Sequence, residues 1–407
     1  MSLKKIDRRA FLGTAAAAPL ISTAPVTGFL NWLPEGDDRT LIVLELDGGN
    51  DGLNTILPLA DREWRRVRPQ LSSVRNGSHK LKGGFALHPS LDGVHRLMKD
   101  GLAAAVHGVG FKGATKSHFK NRDIWHTADV KFTGMKADTT GWLGGVADLL
   151  AKSGAAVPGL SVGSLKVPLI LKSHSAVVPS VNRIEDYQLL IAPGGSEKVR
   201  REELVEIVKG TKGGDDLRGF LGEVAKGAVD NAERLRASLA GYKAKATYPN
   251  TALARKLQLL SRIVVSGFGT RLFHVNFSGF DTHATQAPAH AALLRQFSGG
   301  VEALVRDLKA HGKIDDVLIM VPSEFGRRAA QNHSRGTDHG KAGPVFLFGG
   351  AVKPGLHGKH PSLTDLDDGD LKPGCDFREL YAAALRWLKV SPKAVLGSEF
   401  RGVNPLA

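Results

Sequence analysis

The residues of this chain that carry chemistry sit in short clusters, each placed just after an apolar run. Asp47 ends the run 41–46, LIVLEL, and opens Asp47-Gly48-Gly49-Asn50-Asp51-Gly52. Asp281 and His283 follow the run 271–277, RLFHVNF; their spacing of two points both side chains the same way on extended backbone. Glu324 and Arg327 follow the run 317–321 within Ser323-Glu324-Phe325-Gly326-Arg327, and Asp338-His339 comes after the next polar loop. Ser117 lies in the glycine-rich stretch 108–119, with Arg122 five residues beyond it. Clustered carboxylates and imidazoles are oxygen and nitrogen donors suited to a divalent cation. The expectation is that Asp47, Asp281, His283, Glu324 and His339 hold one or two divalent metal ions, whether Zn, Mg, Mn or Ca.

The other groups then take roles around the cation. Ser117 opens an expected helix over 117–128, where free N–H groups and the positive dipole end lower the cost of ionising a hydroxyl. Activated there, it would attack a phosphoryl or sulfuryl centre, with Arg122 or Arg327 neutralising the developing charge. Asp338 is expected to orient His339 rather than to ligate. His88 and His118 are weaker candidates for proton transfer. Each residue also has a plainer reading. Ser117 is then an ordinary N-cap, Asp47 an Asx-turn carboxylate, Arg122 part of a solvated helix face and His283 a structural loop histidine.

The elements that must position these groups are legible in the hydrophobic pattern. Strands are expected over 41–46, 102–106, 271–277, 317–321 and 344–348. Helices are expected over 91–99, 117–128, 139–153, 250–265 and 376–389, and an apolar stripe runs from Leu293 to Leu308. Buried strands that empty into polar clusters predict an α/β protein whose site lies beyond the carboxyl ends of a parallel sheet. Residues 62–82 are polar and basic and predict a surface excursion. Residues 197–245 predict a helical insertion that shapes access to the site. The rest, 36–407, is expected to be a single domain.

Composition narrows the partners. The 407-residue chain is 42% hydrophobic, ample for a large core, and its net charge of +15 favours anionic ligands. The expected substrate is an anionic small molecule or polysaccharide. No RNA-binding signature or zinc-finger spacing accompanies the basic charge, so nucleic acid is not an expected partner. The sole cysteine, Cys375, excludes an intrachain disulfide and a thiolate metal cluster. At the N-terminus, Lys4, Lys5, Arg8 and Arg9 precede a moderately apolar stretch, far short of the ~20 residues of a membrane span. Arg8-Arg9-Ala10-Phe11-Leu12 is similar to a twin-arginine export signal. Residues 1–35 are therefore expected to engage the twin-arginine machinery and send the protein to the periplasm or beyond, with no permanent membrane span. A disordered basic tail is the alternative.

A set of motifs running in order along nearly the whole chain resembles one family, domain of unknown function 1501. They are Leu46-Asp47-Gly48-Gly49-Asn50-Asp51-Gly52-Leu53-Asn54, Leu87-His88-Pro89, Ser117-His118-Phe119, Thr140-Gly141-Trp142-Leu143, Gly279-Phe280-Asp281-Thr282-His283, Ser323-Glu324-Phe325-Gly326-Arg327 and Gly336-Thr337-Asp338-His339-Gly340. The family is grouped with the alkaline phosphatase and sulfatase-like superfamily. The resemblance implies a three-layer α/β/α sandwich around one large, mostly parallel sheet, and metal-dependent ester hydrolysis. It also implies that Asp47 is the first-strand metal ligand, Ser117 the nucleophile, Asp281 and His283 an aspartate–histidine pair, and His339 the last histidine ligand. Glu324-Phe325 stands where a Ser-Asp-His-Gly or Ser-Asp-Asn-Gly motif is usual, and Phe325 has no ligating atom. No Cys-x-Pro-x-Arg or Ser-x-Pro-x-Arg sequence is present to form a formylglycine. The alternative function is a degraded superfamily member that binds an anionic envelope polymer or assists assembly.

Overall fold

The computed structural model describes residues 38–155, 157–164, 166–181 and 241–407. The export segment expected at 1–35 lies outside the described residues, as does the helical insertion expected at 197–245 except for its last five positions. The main sheet is built from β1 (Thr40–Asp47), β2 (Ala103–Gly110), β3 (Gly159–Val162), β4 (Ser180–Val181), β5 (Leu272–Ser278), β6 (Val317–Val321), β7 (Gly343–Phe348), β8 (Gly355–His357) and β9 (Cys375–Asp376). Its order is β8-β2-β7-β6-β1-β5-β3-β4, with β9 beside β2. Only β7 runs against the others. β1, β2, β5 and β6 therefore all end at one edge.

Alternation along β1 sorts its side chains between two cores. Ile42, Leu44 and Leu46 face helices α1 (Asp92–Lys99), α4 (Ala252–Val265) and α5 (Gln286–Ala310). Leu41 and Val43 face α2 (His118–Thr127), α3 (Trp142–Lys152) and α6 (Phe377–Trp387). Both faces are covered, which makes the molecule a three-layer α/β/α sandwich. The stripe read from Leu293 onward lies on α5, where Leu294, Phe297, Val301, Leu304 and Leu308 are fully buried. α6 starts with a capping box between Asp376 and Glu379 that satisfies two otherwise orphaned N–H groups.

The segment 62–82 lies largely at the surface, as expected, but is anchored by a few buried residues. Residues Arg62–Val67 form a helix, and Trp64 and Arg68 are fully buried. Arg68 escapes its basic surroundings because it meets Asp51, Asn54 and the carbonyls of Arg328 and Ala329. These partners are distant in sequence, so nothing local marks the residue as internal.

Candidate metal centre

Glu324 organises the loops at the sheet edge. It follows β6, is 1% exposed, and receives the Gly48 and Gly49 N–H groups at 2.9 and 3.1 Å. The Ser323 hydroxyl donates to its Oε2 at 3.0 Å, and His118 Nδ1 lies 2.7 Å from its Oε1. The glycines are required by this fit. Gly48 and Gly49 have φ of 119° and 71°, and an added Cβ would come within 2.4 Å of Asp281 N and 2.3 Å of the Phe325 ring.

Around Asp281, three histidines converge. His283 Nε2 and His339 Nε2 each lie 3.0 Å from Asp281 Oδ1 and 2.8 Å from one another. His118 Nε2 lies 3.4 Å from Asp281 Oδ2; it is buried and without a hydrogen bond. The opposite nitrogen of each ring faces an acceptor. His118 Nδ1 meets Glu324, His339 Nδ1 meets the Lys116 carbonyl at 2.8 Å, and His283 Nδ1 faces Asp338 Oδ1 at 3.4 Å. Such partners fix the tautomer and leave Nε2 with its lone pair. Two lone pairs 2.8 Å apart repel unless a proton or cation is shared between them. The donor set, the spacing and the orphaned His118 nitrogen all fit a divalent metal.

The charges are arranged to keep Asp281 ionised. Burial alone would raise its pKa, but the Arg327 guanidinium at 2.7 Å, together with His339 and His283, holds it far below the usual carboxylate range. The Glu324 carboxylate raises the pKa of His118 against the opposing effect of burial, and Asp281 adds to the rise. Asp338 is lowered by its hydrogen bond from Asn332, overcoming desolvation, with help from His283.

The placement of the other sequence-expected residues differs from their assigned roles in several ways. Glu324, expected as a ligand, has both oxygens turned to Gly48, Gly49, Ser323 and His118, so it backs a histidine instead of facing the centre. Asp338 faces His283, where His339 was expected. Asp47 pairs with Arg122 at 3.1 Å and accepts the Ser278 hydroxyl at 3.1 Å; it is not part of the group around Asp281. Arg327 is 1% exposed and spends its donors on Asp281 and on the carbonyls of Gly48, Gly49, Phe280 and Thr337. Ser117 is exposed and caps α2, its Oγ accepting from Lys120 N–H at 3.4 Å. His88 is buried away from the centre, edge-on to His290.

His118, weighed only for proton transfer, is the residue that the Ser117 loop delivers. Its signal lay in helical spacing. His118, Arg122 and His126 recur every four residues on α2 and meet Glu324, Asp47 and Glu45 in turn. Phe325 packs against both His118 and His339, with ring centroids 4.8 Å away in each case. It forms an apolar wall of the centre.

Fold and site together define a three-layer α/β protein with a histidine–aspartate centre at the carboxyl edge of its sheet. Residues 38–400 match the family described as a protein of unknown function, DUF1501, and the chain belongs to that family. Among curated proteins none matches. Among solved structures, the C-terminal periplasmic domain of EcEptC from Escherichia coli, in complex with Zn, is 10% identical. It has a TM-score of 0.41 over 90% of this chain and 89% of that one. A protein in the alkaline phosphatase superfamily from Vibrio parahaemolyticus is 11% identical, with a TM-score of 0.38 over 89% and 70%. The PsFucS1 sulfatase from Pseudoalteromonas sp. is 12% identical, with a TM-score of 0.39 over 91% and 72%. At such scores the chemistry must be read from this chain's own geometry.

Proposed function

We propose that this protein is an exported metal-dependent hydrolase of phosphate or related anionic esters. The observation that carries the reading is the convergence of three histidine Nε2 atoms on Asp281, each histidine having its other nitrogen turned to an acceptor. Asp281, His118, His283 and His339 would hold the ion. When bound, it would supply Lewis-acid polarisation of the ester oxygen. Arg327 keeps Asp281 ionised, and Phe325 excludes water from one side of the imidazoles.

In this reading the Ser117 oxygen forms a bond to phosphorus as the bond from phosphorus to the ester oxygen breaks; the hydroxyl proton passes to water, the alcohol leaves, and water then cleaves the phosphoserine. The Ser117 hydroxyl lies at the positive end of α2, one residue before His118, and its oxygen only accepts in its capping bond, so its proton is uncommitted. The basic charge of the chain favours anionic esters. Export rests on the twin-arginine-like N-terminus. Among the described residues no helix is long and apolar enough to cross a membrane.

The test is elemental analysis of protein purified from metal-replete cells, followed by a screen of phosphate and sulfate monoesters and diesters. Asp281→Ala with His283→Ala is expected to remove the ion of this centre and to abolish turnover. Absence of metal from the wild-type centre, or turnover unaffected by the pair, refutes the reading.

A second reading is favoured by Arg122 and Arg327, both already committed to protein partners. It makes the protein a binding or assembly factor for an anionic envelope polymer. Full biological activity of Ser117→Ala combined with His339→Ala would favour it.

A further inference from the structure

A second convergence of ligand-type side chains lies on the face of the sheet covered by α2. Glu45 shares that face with Leu41 and Val43 by strand alternation, and His274 stands opposite Val43 in the β1–β5 register. His126 descends from α2. Glu45, His126 and His274 are 4%, 5% and 2% exposed. Glu45 Oε2 lies 3.0 Å from Nε2 of both histidines, and the three atoms lie within 4.8 Å of one another. Two imidazoles and one carboxylate are a donor set for zinc and other first-row divalent ions. Ligand distances of roughly 2.0–2.2 Å at tetrahedral angles separate donor atoms by about 3.3–3.6 Å, so the 3.0 Å separations between Glu45 and each histidine need open only slightly.

An independent observation points to the same place. Ser161 on β3 is opposite His274 in the β3–β5 register and so shares its face, on a strand about 4.8 Å away. It is fully buried, and its hydroxyl has no hydrogen-bond partner. Native interiors rarely leave such a group unsatisfied.

We propose that Glu45, His126 and His274 form a buried binding site for a divalent transition ion such as Zn2+, with Ser161 completing the coordination directly or through a water. The site is separate from the Asp281 centre and ties β1, β5 and α2 together. His118 and Arg122 lie two turns and one turn before His126 on α2. An ion at His126 therefore locks the helix register that aims His118 at Asp281.

The test uses the full chain, stripped by a chelator and titrated with Co2+ while visible absorption is followed. The Asp281→Asn/His339→Gln variant is expected to keep one equivalent of Co2+. Adding Glu45→Gln and His274→Gln is expected to remove that equivalent. X-ray absorption of Zn2+ in the Asp281→Asn/His339→Gln variant is expected to show two imidazole nitrogens with oxygen. The proposal is overturned if that variant, folded by circular dichroism, binds no Co2+, if its bound Zn2+ has a different ligand set, or if the four-site variant binds as much as the two-site variant. The first two outcomes do not depend on whether the buried substitutions fold. Loss of the Asp281 ion alone would leave this site intact, so it fails or stands independently of the hydrolase reading.

Discussion

His118 Nδ1 lies 2.7 Å from Glu324 Oε1, and the same carboxyl group receives the N–H groups of Gly48 and Gly49. One buried side chain thus joins the loops after β1 and β6 to the first residue of α2. It also leaves His118 Nε2 facing Asp281. Glu324→Gln keeps the volume and removes the charge. Carboxylate partners of ligating histidines typically contribute 10–100-fold to metal affinity. A loss of about that size is expected in a Zn2+ or Co2+ titration of the Asp281 centre, with the fold retained.

Gly49→Ala should disturb the centre from the outside. The position has φ of 71°, and its new Cβ would meet the Phe325 ring at 2.3 Å. Holding the left-handed region costs a non-glycine residue roughly 1–2 kcal/mol before any clash is counted. Phe325 must then move from between His118 and His339. A lower unfolding midpoint and weaker metal binding are expected together, measured by denaturant titration and by Co2+ absorption.

Arg68→Ala should be among the most destabilising single changes. The Arg68–Asp51 ion pair is fully buried on both sides, and Gln286 also donates to Asp51. Removing one partner of such a pair typically costs about 3–5 kcal/mol because the other charge is left buried. Urea unfolding should show that loss. Arg68→Lys should recover only part of it, since an ammonium cannot reach Asp51, Asn54 and the Arg328 and Ala329 carbonyls from one planar fork.

Stability should fall on mild acidification. Burial, aided by neighbouring positive groups, pushes His88 down to about 3, and it pushes His107 and His290 down to about 4. In the unfolded chain these histidines titrate near 6.5. Between that value and about 4 the unfolded state binds more protons, so stability drops as pH falls through this window. Each group contributes about 1–2 kcal/mol by pH 5. Urea unfolding at pH 7.5 and pH 5 should show the difference, and His107→Phe should reduce it. No pH dependence across this window would contradict the buried neutral state of all three.

The sequence carried the strands and their ends well. Apolar runs of five to eight residues followed by glycine and acid placed β1, β5 and β6 within a residue or two, because burial on both faces leaves a strong local trace. Asp281 and His283 were visible for the same reason, as polar groups at the end of such a run, and His339 as half of the Asp338-His339 pair after the next polar loop. Arg68 and Glu45 were not, since each gains its burial from partners far away in the chain.

The roles of individual side chains were decided only in three dimensions. Composition and pattern alone determined an α/β protein with carboxylates and histidines gathered at its strand ends. Which of them face the centre depends on hydrogen-bond capacity. The Gly48 and Gly49 N–H groups needed an acceptor where the chain turns, and Glu324 was the carboxylate within reach. Once committed there, it became the support of His118, the first residue of α2, whose other nitrogen faces Asp281. A short sequence motif states which donors are present. Packing determines which of them remain free to bind.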